Sequence, residues 1–139
     1  MTYNYKSKKI VAVISDKLES WRSMNVLGHM SIALGANKDE DLMGQEVLVD
    51  QKNNTHVGIA RFGLIVKRGS SGDISELARE SKKINDIKVV DFPREMLDTK
   101  HDDELVESIK NKSDFEYLGV LIYGDVKQVD LLTKSFKLW

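Results

Sequence analysis

Two adjoining stretches decide the fold: KIVAVIS at 9–15 and SWRSMNVLGHMSIALG at 20–35. The first is a short apolar run with polar residues on both sides, which predicts a buried central strand. The second places Trp21, Met24, Val26, Leu27, Met30, Ile32, Ala33 and Leu34 around most of a helical circumference. Apolar on so many sides, it predicts a largely buried helix. Ser20 stands where an N-cap belongs, and Gly35 with Asn37 marks the stop. Against this background Arg22, Asn25 and His29 are spaced by three and then four, which confines them to an arc of roughly 60°. This polar stripe is the candidate site. Gly28, inside the helix, costs about 1 kcal/mol relative to alanine and predicts close packing against a strand or a ligand.

Outward from this unit, residues 1–8 are a polar lead-in. The acidic loop NKDEDLMG at 37–44 alternates Asn37, Asp39 and Asp41 like the start of a calcium loop. Leu42 and Leu48 occupy the glycine and bidentate-glutamate positions, so calcium is excluded. Residues 46–50 and 56–60 flank QKNNT and predict a short exposed hairpin. RFGLIVKR at 61–68 is a second strand, and GSSG at 69–72 a turn. Asp73 then caps a helix reaching about residue 85. IKVVDF at 87–92 is a third strand, ended by Pro93. Residues 94–99 form a loop or single turn, 102–110 a short helix, and YLGVLIY at 117–123 the fourth and most apolar strand. Val126, Val129, Leu132 and Phe136 mark a last helix. Trp139 is costly to leave in water and predicts a chain end packed on the body. Strands alternating with helices predict a layered α/β sheet.

With 139 residues, the chain is long enough for one domain, 1–139, with its own core. A formal charge of −1 gives no field favouring nucleic acid or anionic membranes. There is no cysteine, which removes disulfides and zinc–thiolate sites. No apolar run is long enough to span a bilayer, and MTYNYKSKK lacks the core of a signal peptide. The expectation is a cytoplasmic protein.

The other constellations are weaker. Asp91 ends a strand, where open α/β sheets often bind ligands, or it serves the turn before Pro93. Asp125 is a ligand candidate or, more simply, the cap of the last helix. Residues 69–73 resemble a phosphate-cradling turn without a glycine fingerprint, and an ordinary strand-to-helix turn is preferred. The basic residues of 61–94 alternate with acids and have no aromatic platform, which reads as a solvated face. His56 and the His101-Asp102-Asp103 run do not make a metal site, and no nucleophile motif is present.

Residues 11–35 and 118–139 resemble the first and last parts of the type II peptidyl-tRNA hydrolases. The first helix of that family carries Lys-x-Ala-Ala-Gln-x-x-His, and Arg22 and His29 keep its spacing of seven. The closing segment is echoed by YLGVLIYGD, Val129-Asp130 and TKSFKLW, which retains Thr133, Lys137 and Leu138. Over nearly the whole chain the sequence is more similar to a bacterial family known as domain of unknown function 2000. The similarity runs through Asn25-Val26 to Leu34-Gly35, residues 58–67, residues 89–92 and the glycine-bearing last strand and helix. These resemblances imply a three-layer α/β/α fold, peptidyl-tRNA hydrolase II-like, with a mixed four-stranded sheet, and a homodimer. They imply no established reaction. Arg22 stands for the lysine, Val26 for the glutamine, Asp125 for a proline, and the Asp-Ala-Gly-x-Thr loop is missing. A guanidinium stays protonated where an ammonium can titrate, so anion binding fits and peptidyl-tRNA hydrolysis does not.

The combined expectation is a small anionic or carbonyl-bearing ligand at the Arg22/Asn25/His29 stripe, with Asn25, Asp91 and Asp125 as its binding residues. Arg22 and His29 are the catalytic candidates, since an ordinary imidazole titrates near neutrality. No metal, cofactor, nucleic acid or membrane partner is expected. The alternative is a non-enzymatic dimeric or regulatory module with Phe136 and Trp139 in its interface.

Overall fold

The computed structural model describes residues 4–139. Residues 1–3 of the expected lead-in lie outside the described residues. Lys8, placed in that lead-in by sequence, already belongs to the first strand.

The main sheet is built from β1 (Lys8–Ser15), β4 (Leu64–Gly69), β5 (Lys88–Pro93), β6 (Tyr117–Asp125) and β7 (Lys137–Leu138), and a separate hairpin from β2 (Val47–Val49) and β3 (Thr55–Val57). The helices are α1 (Ser20–Ala36), α2 (Ser71–Lys82), α3 (Glu95–Asp98), α4 (Asp102–Lys110) and α5 (Val126–Thr133). The sheet runs β5-β6-β1-β4-β7, with β1 and β4 parallel and the other pairings antiparallel. Among the described residues it therefore has five strands, where four were expected. The extra strand, β7, is two residues long, too short to show an alternation in sequence. Pro93 is accommodated because β5 is an edge strand, where no outer neighbour needs its missing N–H.

β1 is apolar on both sides, and the two sides serve two cores. Ile10, Ala12 and Ile14 join Val26, Met30 and Leu34 of α1. Val11 and Val13 join Ile74, Leu77 and Ala78 of α2 and Val129 of α5. Helices thus cover both faces, as the near-continuous apolar run in β1 requires.

α1 is less enclosed than its composition suggested. Only Ser23, Val26, Met30 and Leu34 are buried. Trp21, Met24 and Ile32 face outward, Ile32 with 71% of its surface exposed. A single helix lying on a sheet buries one stripe, and nothing in the described chain covers its back. The cap is Glu19, without a side-chain hydrogen bond, and Ser20 is already helical. In α2 the cap is Ser70, whose Oγ accepts from the Asp73 N–H at 3.2 Å. Asp73 therefore sits in the first turn, where its carboxylate opposes the helix dipole. Asp125 does cap α5, accepting from the N–H groups of Lys127 and Gln128.

The close approach expected at Gly28 occurs at Gly119 instead. A Cβ at Gly28 would meet nothing within 4 Å. One at Gly119 would lie 2.9 Å from Val26 Cγ1 and 3.0 Å from Met30 Cε. The missing side chain in β6 lets α1 settle onto the sheet.

The acidic loop after α1 is tied down by charge. Lys8 Nζ donates to Asp39 at 3.1 Å and Asp41 at 3.0 Å, and the Tyr123 hydroxyl donates to Asp39 at 3.0 Å. Burial pushes the Tyr123 phenol up to about 12, and its bond to Asp39 adds to this. Burial alone would raise the Asp39 carboxyl, but the bonds from Lys8 and Tyr123 outweigh it and hold it below the usual range. A depressed carboxyl contributes stability above its unfolded value, and that contribution disappears as pH falls through the folded value. Asp39→Asn is thus expected to lower the urea midpoint at pH 7, with the gap to wild type closing below about pH 4. Equal gaps at pH 7 and pH 3 would contradict this.

Candidate functional site

The α1 flank that carries Asn25, His29 and Ala33 runs beside edge strand β5, and α3 and α4 follow β5. Together they enclose a cleft of about 310 Å³ lined by Asn25, His29, Met30, Ala33, Val90, Asp91, Phe92, Met96 and Leu105. Its walls are mostly apolar. The polar groups are the Asn25 amide and the His29 imidazole, one turn apart on the α1 flank nearest β5. Both residues are exposed, and neither side chain has a hydrogen-bond partner within the described residues. The His29 ring tilts 47° against Phe92, with centroids 6.3 Å apart. Unpaired polar groups over an apolar floor form the usual pattern of a small-molecule site.

Arg22 does not line this cleft. Its guanidinium carbon lies 5.0 Å from the Trp21 ring centroid, a cation–π contact, and its Nε is buried without a partner. The cleft therefore contains no guanidinium, and the expected three-residue site reduces to two members of the stripe.

Asp91 borders the cleft, but its carboxylate is engaged elsewhere. Strand alternation turns Val90 and Phe92 toward α1, and Val89 and Asp91 toward α2. There Asp91 pairs with Lys82 of α2, whose ammonium lies 5.8 Å from the Tyr117 ring centroid. Burial opposes the charge on Lys82, but its bond to Asp91 prevails and holds its pKa above the usual lysine value. Burial raises the Tyr117 phenol. Asp125 stands opposite Lys8 in the β1–β6 ladder, at the far end of β1 from Ser15, after which α1 begins. The structure thus brings Asn25, His29 and the Asp91 backbone together and leaves Asp125 apart.

Met96 and Leu105 were missed as site residues. Met96 belongs to a four-residue helix, too short for a periodic signal, and Leu105 looked like any apolar residue of a short helix.

A second hollow, about 360 Å³, lies at the carboxyl ends of β1 and β4 and takes in Gly69, Ser70 and Phe136. Arg68 and Lys137 face it, but so do Asp16 and Asp73, so it has no net attraction for an anion. Much of the basic segment is neutralised locally by the pairs Arg79–Glu76, Lys83–Glu80 and Lys82–Asp91. His56 pairs with Asp50 in the hairpin, and His101 occupies the cap position of α4. Among the described residues no three His, Asp or Glu side chains are placed to share a metal ion, and no helix is long and apolar enough to cross a membrane.

A family model described as a protein of unknown function, DUF2000, matches residues 8–139. A solved structure of a protein of unknown function from Agrobacterium tumefaciens superposes with a TM-score of 0.83 at 22% identity. The superposition covers 96% of this chain and 98% of that one, and the likeness is one of fold. No curated protein matches the chain.

Proposed function

Because the chain belongs to the DUF2000 family of proteins of unknown function, its activity has to be read from its own surface, and we propose that it binds a small carbonyl- or carboxylate-bearing molecule in the α1–β5 cleft. The observation that carries this is the pair of unpaired polar groups, Asn25 and His29, over an apolar floor. An amide donates to a carbonyl oxygen and accepts from an amide N–H. An imidazole donates to an oxygen or takes up a proton from a water. Met30, Val90, Phe92, Met96 and Leu105 suit the apolar body of such a ligand.

With His29 as the proton carrier, a hydrolytic reaction is the chemistry this arrangement favours. The spacing of Arg22 and His29 supports a distant kinship with type II peptidyl-tRNA hydrolases. Arginine at the first position and the engagement of Asp91 with Lys82 argue against peptidyl-tRNA as the substrate in this proposed cytoplasmic protein.

The test is a titration with butyrate, benzamide and N-acetyl amino-acid amides, followed by amide chemical shifts. Shifts concentrated at Asn25, His29, Phe92, Met96 and Leu105 are the expected result. The absence of any response there, or a response only at Arg68 and Lys137, would refute the proposal. Asp91→Asn is expected to change probe affinity by less than about threefold, because its carboxylate is committed to α2 and not to the cleft.

A further inference from the structure

We propose that the β2–β3 hairpin is an arm that docks into the apolar groove between α1 and β4 of a second copy of this chain, giving an arm-exchanged homodimer. The register pairs Val47 with Val57 and Val49 with Thr55. Directly paired residues share a face, so Val47, Val49 and Val57 form one apolar stripe, while Leu48 and His56 lie on the reverse. All six ladder residues are exposed, and Val57 retains 87% of its surface. Ile59, just beyond, retains 78%. A lone two-stranded hairpin is marginal in water, and this one lacks a covering layer.

The arm is nevertheless built to hold its shape. Asp50 Oδ1 accepts from the N–H groups of Lys52 and Asn54, and Asn53 takes a φ of 66°. At its base, Gly58 makes room for the Gln45 carbonyl oxygen, which would lie 1.5 Å from any Cβ. A stiff apolar arm has little ordering entropy left to lose on docking.

The receiving groove lies on the same chain. On one face of the sheet sit α2 and α5, on the other the long helix α1, which packs on β5, β6 and β1. Beside it, β4 is left without a helix. Two hollows, about 100 and 130 Å³, follow this flank. They are walled by Met24, Leu27, Val66 and Trp139 at one end and by Met43, Ala60 and Leu64 at the other, and among the described residues no charged side chain lines either. Met24, Leu64 and Trp139 are exposed along the rim.

A second copy is the occupant that accounts for both features together. One chain carries an uncovered apolar arm and an uncovered apolar groove. The arm returns directly into β4, the groove's own strand, so a two-fold axis repeats the same contact twice and closes the assembly. Burying an aliphatic side chain removes on the order of 100 Å² from water, so the arm's residues supply roughly 300 Å². Two arms and two matching grooves then reach about 1,200 Å², the lower end of a standard interface.

Sedimentation equilibrium of the full chain tests this. Wild type is expected to be a dimer at ~10 μM, and Val47→Asp with Val57→Asp is expected to raise the dimer dissociation constant at least about 30-fold with unchanged circular dichroism. Met24→Asp with Leu64→Asp, on exposed groove positions, is expected to do the same. Leu48→Ser, on the reverse face, is expected to leave the dimer intact. Mixing the arm variant with the groove variant restores one of two contacts, so a weaker dimer is expected only in the mixture. A wild-type monomer at ~100 μM would overturn the proposal, as would a dimer indifferent to the arm substitutions.

Discussion

Gly119→Val is expected to destabilise the protein by about 3 kcal/mol, lowering the melting temperature by roughly 10 °C. The reason is the seat of α1. A Cβ at this position meets Val26 Cγ1 at 2.9 Å and Met30 Cε at 3.0 Å. Met30 is unbranched and can swing its terminal methyl aside. Val26 is fully buried and β-branched, and in a helix it has essentially one rotamer, so it cannot. Relief therefore requires α1 to lift from β6, which also displaces Asn25 and His29 relative to Phe92. Thermal unfolding followed by circular dichroism measures the loss. Val26→Ala added to Gly119→Val is expected to recover part of it, since it removes the obstructing methyls. A Gly119→Val protein as stable as wild type would mean that α1 does not rest on this glycine.

Replacing both Asn25 and His29 by alanine is expected to weaken binding of the responsive probe about 100-fold, with little change in stability. Each hydrogen bond to a ligand is worth about 1–1.5 kcal/mol, which compounds to this factor over two bonds. Stability is spared because both side chains are exposed and neither bonds to the rest of the described protein. The single variants separate the roles. If His29 transfers a proton, His29→Ala removes turnover of any hydrolysable probe, while Asn25→Ala mainly weakens its binding. Calorimetric titration beside thermal unfolding gives both quantities. Undiminished affinity in the double variant would place the ligand elsewhere.

These two experiments probe different consequences of one helix. Gly119 sets how deeply α1 sinks into the sheet, and Asn25 and His29 report what its flank offers to a ligand. On the other flank Met24 and Leu27 look onto β4 and wall the groove proposed for the arm. A variant affecting one flank and not the other would show that the helix serves two separable purposes.

Much of the candidate site was legible because helix geometry is local. Spacings of three and four put Arg22, Asn25 and His29 on one arc whatever surrounds them. The arc did not reveal which of its members has room beside it. Arg22 stacks on its neighbour Trp21, and that contact depends on rotamers. Asp91, expected at the end of a strand, lies inside β5 opposite Val120, and strand alternation needs a reference face. Until α1 and α2 were known to lie on opposite sides, its carboxylate had no assigned direction. Gly28 and Gly119 make the same point. Sequence can flag a glycine in a helix as costly, but only packing shows which glycine a neighbour actually needs.

The order of strands and helices, the buried central strand, the exposed hairpin and the short helix at 102–110 were determined by the sequence alone. Each rests on periodicity, capping and turn chemistry acting within a dozen residues. Tertiary structure decided the fifth strand, the exposed back of α1, the cleft walls from Met96 and Leu105, and the separation of Asp125 from His29. Those features arise where segments distant in sequence meet. Their free energy lies in contacts, and no single segment specifies its own partner.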